Sequence, residues 1–245
     1  MEILYVFMAG ASVGSFLNVC ISRIPKGQGV AFSVSKCPDC GTRIEFRDLV
    51  PLMSYALLRG RCRACGGAIH GRYPAVELAA GLAFAALYMK YGASLEFLKL
   101  SVLASFLIVA GIIDFETGEV HTSLIAAGAS AGLAFAVVAP GTLADSLLGA
   151  LLGFGVIAAI ALTGGMGWGD ADICLLCGLF LGVKLTLLML FLSFLLGAAA
   201  GTALIALSVR GRKDSIPFGP VLAVSALSVS LFGNSFLLLY NSVML

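Results

Sequence analysis

Apolar residues run through this chain in long blocks separated by short polar interruptions. Residues 3–22 carry no charge and end at Arg23-Ile24-Pro25, a block whose length matches the roughly 20 residues that cross a bilayer. Glu2 precedes this block and the bases follow it, the reverse of a cleaved secretory signal, so it predicts a retained helix with its N-terminus outside. Residues 25–73 form the one long polar stretch. After Pro74 the apolar sequence breaks at 90–99, 114–122, 140–145, 164–172, near Lys184 and at 210–217. The breaks predict further helices over 74–90, 97–113, 122–140, 145–163, 171–184, 185–209 and 218–240, about eight in all with the first. The segment 171–184 is short for a span, and a re-entrant or broken helix there stays open.

Composition agrees with lipid as the main solvent. Of 245 residues, 60% are hydrophobic and 11% charged, which excludes a disordered chain, a coiled coil and a secreted disulfide scaffold. The predicted fold class is all-α, a polytopic membrane helical bundle, divided into a first transmembrane helix (1–24), a polar loop domain (25–73) and a membrane core (74–245). Net charge is only +2, but nine of the fifteen Lys and Arg lie between Arg23 and Arg72, against three acids. The positive-inside rule places that loop in the cytoplasm. Threading the helices from there puts 114–122, 164–172 and 210–217 on the same side, so Arg210, Arg212 and Lys213 also fall inside.

The loop carries two knuckles, Cys37-Pro38-Asp39-Cys40 and Cys62-Arg63-Ala64-Cys65, separated by 21 residues and each followed by glycine, Gly41 and Gly66. Paired C-x-x-C knuckles present four thiolates tetrahedrally to zinc, and the glycine permits the tight turn that brings backbone N–H groups toward sulfur. A closed four-thiolate site has no open coordination position, so its expected work is folding a loop too polar to make a core. Disulfide or redox use is the alternative, disfavoured in the cytoplasm. His70 is a conceivable substitute ligand, while Cys20, Cys174 and Cys177 read as small buried apolar residues.

Two carboxylates stand at the ends of apolar runs. Asp114 closes the run Ser101–Ile113, and Asp170 ends Gly164-Gly165-Met166-Gly167-Trp168-Gly169-Asp170 and opens another. An ionised carboxylate at membrane depth costs about 2.5 kcal/mol or more, which makes each a functional candidate. Brought face to face, two carboxylates do not both ionise readily, and the pair can act as acid and base on a water attacking an amide. The glycines would allow unwound backbone beside Asp170 and leave space for an extended peptide. Capping of a helix N-terminus is an equally good account of Asp170. Asp172, Glu116 and His121 read as solvated interfacial residues, and Glu77, about one turn after Tyr73-Pro74, faces either the bundle or the loop.

With these residues in hand, the chain resembles the bacterial type IV prepilin peptidases, the leader peptidases and N-methyltransferases of pilus and type II secretion systems. The resemblance runs in order through Gly14-Ser15-Phe16-Leu17-Asn18 with Arg23-Ile24-Pro25, the Cys37 and Cys40 knuckle, Asp48-Leu49-Val50-Pro51, and Leu58-Arg59-Gly60-Arg61-Cys62. It continues through Tyr73-Pro74 with Glu77, Gly167-Trp168-Gly169-Asp170, and Ile216-Pro217-Phe218-Gly219-Pro220. It implies a multi-pass inner-membrane aspartic endopeptidase whose catalytic residues match Asp114 and Asp170. Its substrates would be prepilins or pseudopilins, cut after glycine, behind a basic leader, at the cytoplasmic face. It also implies methylation of the new N-terminus with S-adenosylmethionine, for which the chain shows no glycine-rich fingerprint. The lipid bilayer is the other expected partner, and nucleic acid is not expected. Two positions depart from the family pattern: Val120-His121-Thr122 stands where Ile-Pro-Asp is usual, and Asp172 where Lys is usual. An anion in place of that cation predicts an altered pH dependence if it couples to Asp170. A transporter or assembly factor with a structural zinc loop, or a peptidase without methylation, are the competing readings.

Overall fold

The computed structural model describes residues 1–30, 35–207 and 217–244. The cluster Arg210, Arg212 and Lys213, and Ile216 of the last motif, lie outside the described residues. Regular structure within them is helical, with two isolated β-bridges in the polar loop. The helices are α1 (Glu2–Arg23), α2 (Met53–Leu57), α3 (Arg72–Tyr91), α4 (Leu95–Thr117), α5 (Thr122–Val138), α6 (Leu143–Leu162), α7 (Trp168–Ala206) and α8 (Gly219–Met244), with 3₁₀ turns at Ile24–Lys26 and Phe46–Leu49. Four are long and apolar enough to cross a membrane by length and composition: Glu2–Lys26, which joins α1 to its 3₁₀ turn, Leu95–Thr117, Leu143–Leu162 and Trp168–Ala206. Thr122–Val138 and Gly219–Gly233 are shorter apolar helices.

The chain divides into two compact units, Met1–Phe97 and Leu98–Leu245. In the first, α1 packs on α3 through small residues that let the backbones approach closely. A β-carbon on Gly14 would lie 2.8 Å from the Glu77 Cα, and one on Gly81 would lie 2.7 Å from the Phe7 ring. Asn18, buried on α1, donates through Nδ2 to the Tyr73 carbonyl at 3.0 Å and so fixes the loop-side end of the pair.

In the second unit, the 39-residue run of α7 contains one non-helical residue, Gly182 (φ 71°, ψ 179°). The Cys174 carbonyl oxygen and the Thr186 methyl both come within 3.2 Å of where a β-carbon on Gly153 would sit. Residues twelve positions apart on a straight helix would be about 18 Å apart, so the chain folds back at Gly182 into two antiparallel legs. Only glycine adopts this φ at little cost, and the space its side chain would occupy is taken by the Asp145 carboxylate. Asp145 accepts the Val183 N–H at 3.2 Å and so caps the returning leg. The expected break near Lys184 is therefore present, set two residues earlier by backbone conformation rather than by charge. Counting both legs, the helices α1 and α3 to α8 account for the eight predicted segments.

Small residues also seat α6 against this hairpin. A β-carbon on Gly178 would collide with the Gly149 backbone, whereas one on Gly155 would meet nothing within 4 Å. Replacing Gly178 by Val should therefore destabilise the second unit by about 1–3 kcal/mol, the usual cost of overpacking. A thermal melt of the detergent-solubilised protein should show a lowered midpoint for Gly178→Val and an unchanged one for Gly155→Ala.

Candidate active site and metal centre

Asp114 lies in the last turn of α4 and Asp170 in the first turn of α7, and both are buried. The two carboxylates are within electrostatic reach of each other. Asp114 Oδ2 accepts the Gly219 N–H at 2.9 Å, at the start of α8. Asp170 Oδ2 accepts the Gly167 N–H at 3.3 Å, closing the start of α7. Two helix N-termini, each with unpaired N–H groups and the positive end of a dipole, therefore meet the two acids. Asp170 is both a cap and a member of the pair, so the two readings of this residue are compatible.

The glycine-rich segment is unwound beside Asp170, as expected, and open at Gly164, but not at Gly169. Helix α7 starts at Trp168, after Gly167 in extended conformation (φ −77°, ψ 148°), so unwound backbone is confined to the turn before it. A β-carbon on Gly169 would lie 2.7 Å from the Val120 Cβ. The space beside Gly169 is filled by the α4–α5 loop rather than left open for a peptide. That contact sets Val120-His121 against the first turn of α7. His121 is half-buried, not solvated, and its Nε2 has no hydrogen-bond partner. Asp172 is half-buried too, whereas Glu116 is exposed as expected.

Gly219 had no assigned role in the sequence beyond its motif. A β-carbon there would lie 2.6 Å from Asp114 Oδ2, so no larger residue fits without moving the acid. Its only sequence signal was Phe218-Gly219-Pro220 opening an apolar run, a helix start that does not say what its N–H groups face.

In the first unit the Sγ atoms of Cys37, Cys40, Cys62 and Cys65 all lie within 4.8 Å of one another, and all four cysteines are free. Zinc–thiolate bonds near 2.3 Å in a tetrahedron place sulfurs about 3.8 Å apart, and Cys37 and Cys65 Sγ are 3.9 Å apart. The residues present fit the metal. The knuckles repeat one construction. Gly41 N–H donates to the Cys37 carbonyl at 3.0 Å and Gly66 N–H to the Cys62 carbonyl at 2.9 Å. Both glycines have left-handed φ, 71° and 72°, and the bridges Lys36–Arg43 and Arg61–Ala68 close each turn.

Donors around the sulfurs favour thiolate. The Thr42 hydroxyl and amide bring Cys40 down to about 6, and the Cys65 and Ala64 N–H groups lower Cys62. The Gly67 N–H also favours the Cys65 thiolate, yet its three sulfur neighbours outweigh it and push that thiol up to about 12. Four thiolates this close need a cation among them. His70 is outside the cluster and accepts the Arg72 N–H at 3.1 Å. Cys20, Cys174 and Cys177 are buried as small apolar residues. The lobe is tied together by Arg63, in the second knuckle, which donates to both Asp48 oxygens, Nε to Oδ2 at 2.9 Å and the terminal nitrogen to Oδ1 at 2.7 Å. It is tied to α3 by Glu77, buried, whose carboxylate accepts the Leu52 N–H at 2.8 Å. Glu77 faces the loop.

Comparison with known proteins agrees with this arrangement. A family model described as the bacterial peptidase A24 N-terminal domain matches residues 8–91, and one described as the type IV leader peptidase family matches residues 101–202. A prepilin leader peptidase/N-methyltransferase of Bacillus subtilis (strain 168) is 31% identical, over 98% of this chain and 97% of that protein. One from Pseudomonas putida is 33% identical over 92% and 88%, and one from Myxococcus xanthus is 35% identical over 80% of this chain and 61% of that protein. No solved structure matches the chain. With two buried aspartates meeting at helix ends, a four-cysteine centre, and relatives aligned along nearly its whole length, the chain belongs to the type IV leader peptidase family.

Proposed function

We propose that Asp114 and Asp170 are the catalytic residues of a multi-pass membrane aspartic endopeptidase that removes the leader of prepilins or pseudopilins. The observation that carries this reading is that two carboxylates from separate helices are both buried and lie within electrostatic reach of each other. Because two such groups resist double ionisation, one holds a proton while the other accepts one. A water between them loses its proton to the ionised carboxylate as it attacks the scissile amide carbonyl. The protonated carboxyl hydrogen-bonds the developing oxyanion and passes its proton to the leaving nitrogen. Gly219 and Gly167 N–H groups hold the two carboxylates in place for this exchange. The names of the relatives support methylation of the new N-terminus as a second activity, with S-adenosylmethionine as the methyl source.

Cys37, Cys40, Cys62 and Cys65 would hold zinc as a structural ion, closed by four protein ligands. The basic excess of the polar loop supports a cytoplasmic orientation of the zinc lobe and of the aspartates. Cleavage there leaves a substrate with a basic leader on the side where it is made.

Asp114→Asn and Asp170→Asn should each lower cleavage of a prepilin-like peptide by about 10²–10⁴-fold, the range of acid–base catalysis, with an unchanged thermal midpoint. Substantial residual cutting by either variant would remove the pair as the catalytic centre. Gly219→Ala should also depress turnover, by displacing Asp114, while peptide binding is kept. Mass spectrometry of a co-expressed prepilin should report the trimmed chain, and a further increment of about 14 Da per methyl group reports the second reaction. Elemental analysis should find one zinc per chain, lost in Cys37→Ser or Cys62→Ser together with increased protease sensitivity of the 35–70 segment. A full metal complement in both variants would refute the ligand set.

A further inference from the structure

The zinc lobe exposes apolar residues that its own core does not use. Phe46 is 84% exposed, Val50 39%, Met53 56% and Leu57 78%. Met53 and Leu57 stand at the i, i+4 spacing that places side chains on one face of α2, and Phe46 and Val50 bracket the 3₁₀ turn before it. Ser54, between Met53 and Leu57, is buried and donates through Oγ to the Arg47 carbonyl at 3.0 Å, so the adjoining side of α2 is seated on the lobe.

Their height is set by Glu77. This residue is five positions into α3, about 8 Å along its axis, and its bond to the Leu52 N–H holds the residue just before α2 at that level. A polar lobe normally stands clear of the hydrocarbon. Here one apolar turn is pinned beside the first turns of α3, where the sequence predicts the membrane boundary. Exposed bases flank it: Arg43 and Arg47 on one side, Arg59 and Arg61 on the other, with Arg47 sharing its charge with Glu45 at 2.7 Å. Aromatic and aliphatic side chains fringed by arginine are the composition of an interfacial membrane element.

We propose that the segment Phe46–Leu57 docks the zinc lobe onto the anionic leaflet beside it, with Phe46, Met53 and Leu57 among the upper acyl chains and Arg43, Arg59 and Arg61 on lipid phosphates. The apolar helix of a substrate is the competing occupant. The arginine fringe decides between them, because it attracts anionic headgroups and repels the basic leader that the proposed substrate carries; that step alone rests on the substrate reading.

The test uses the full chain in nanodiscs made with brominated acyl chains, either zwitterionic or containing anionic phosphatidylglycerol. Phe46→Trp and Met53→Trp are compared with the wild type, whose single Trp168 gives the background, and with Ala64→Trp at the exposed tip of the second knuckle. Unchanged zinc content and peptidase activity report that the variants fold. Quenching of the added Trp at 46 and 53 by at least twofold, absent at 64, supports docking. Quenching should weaken in anionic discs when Arg43, Arg59 and Arg61 are replaced by Gln. No quenching at 46 and 53 in either lipid overturns the proposal. So does quenching that a saturating prepilin peptide abolishes, which would assign the surface to substrate, and so does quenching insensitive to both lipid charge and the arginine variants. None of these readouts depends on whether Asp114 and Asp170 cut the peptide.

Discussion

A carboxylate buried at the end of an apolar helix can be kept only where donors meet it, and the second unit is organised around that requirement. Asp114 is met by the N–H that opens α8, and Asp170 by the N–H just before α7. Each acid lies at one helix end and is held by the polar start of the same or another helix. The donors are backbone groups, which do not reorient, and preorganised dipoles of this kind cost little reorganisation when charge shifts during a reaction. The same geometry explains the small residues. Gly219 and Gly169 sit where any β-carbon would push Asp114 or Val120 away.

The first unit solves a different problem. Its polar loop lacks the apolar mass to fold around itself, and four sulfurs converge where a core would be. The lobe is then fastened outward by a buried acid on α3 rather than by packing. Glu77 and Asp114 thus share one principle, a buried carboxylate near a helix end paired with a distant backbone N–H.

Much of this was legible in the order of residues. Charge interruptions marked the helix ends, paired C-x-x-C-Gly turns marked the four-cysteine cluster, and acids closing apolar runs marked the two buried carboxylates, Asp114 and Asp170. The parts that were not legible depend on contacts between positions far apart in the chain. Lys184 drew attention to a break whose cause is Gly182 and the Asp145 carboxylate beside it. Gly169 read as open space along with Gly164 and Gly167 because nothing near it along the chain shows that Val120 stands beside it. His121 read as solvated because a helix-start position normally is, yet the same loop contact half-buries it. Glu77 was undecided for the same reason: its partner is 25 residues away.

The hairpin at Gly182 has a consequence for the bilayer itself. From Asp170 to Gly182 the outgoing leg rises only about 18 Å, while the hydrocarbon layer is about 30 Å thick. Both ends of that leg are marked by carboxylates, Asp170 at one and the exposed Asp145 at the other, so neither is at home deep in lipid. Such hydrophobic mismatch is relieved by thinning of the membrane around the short leg or by water reaching down to meet it. A leg this short calls for thinner lipid or for water at its ends, a demand that a full-length helix in the same place would not make.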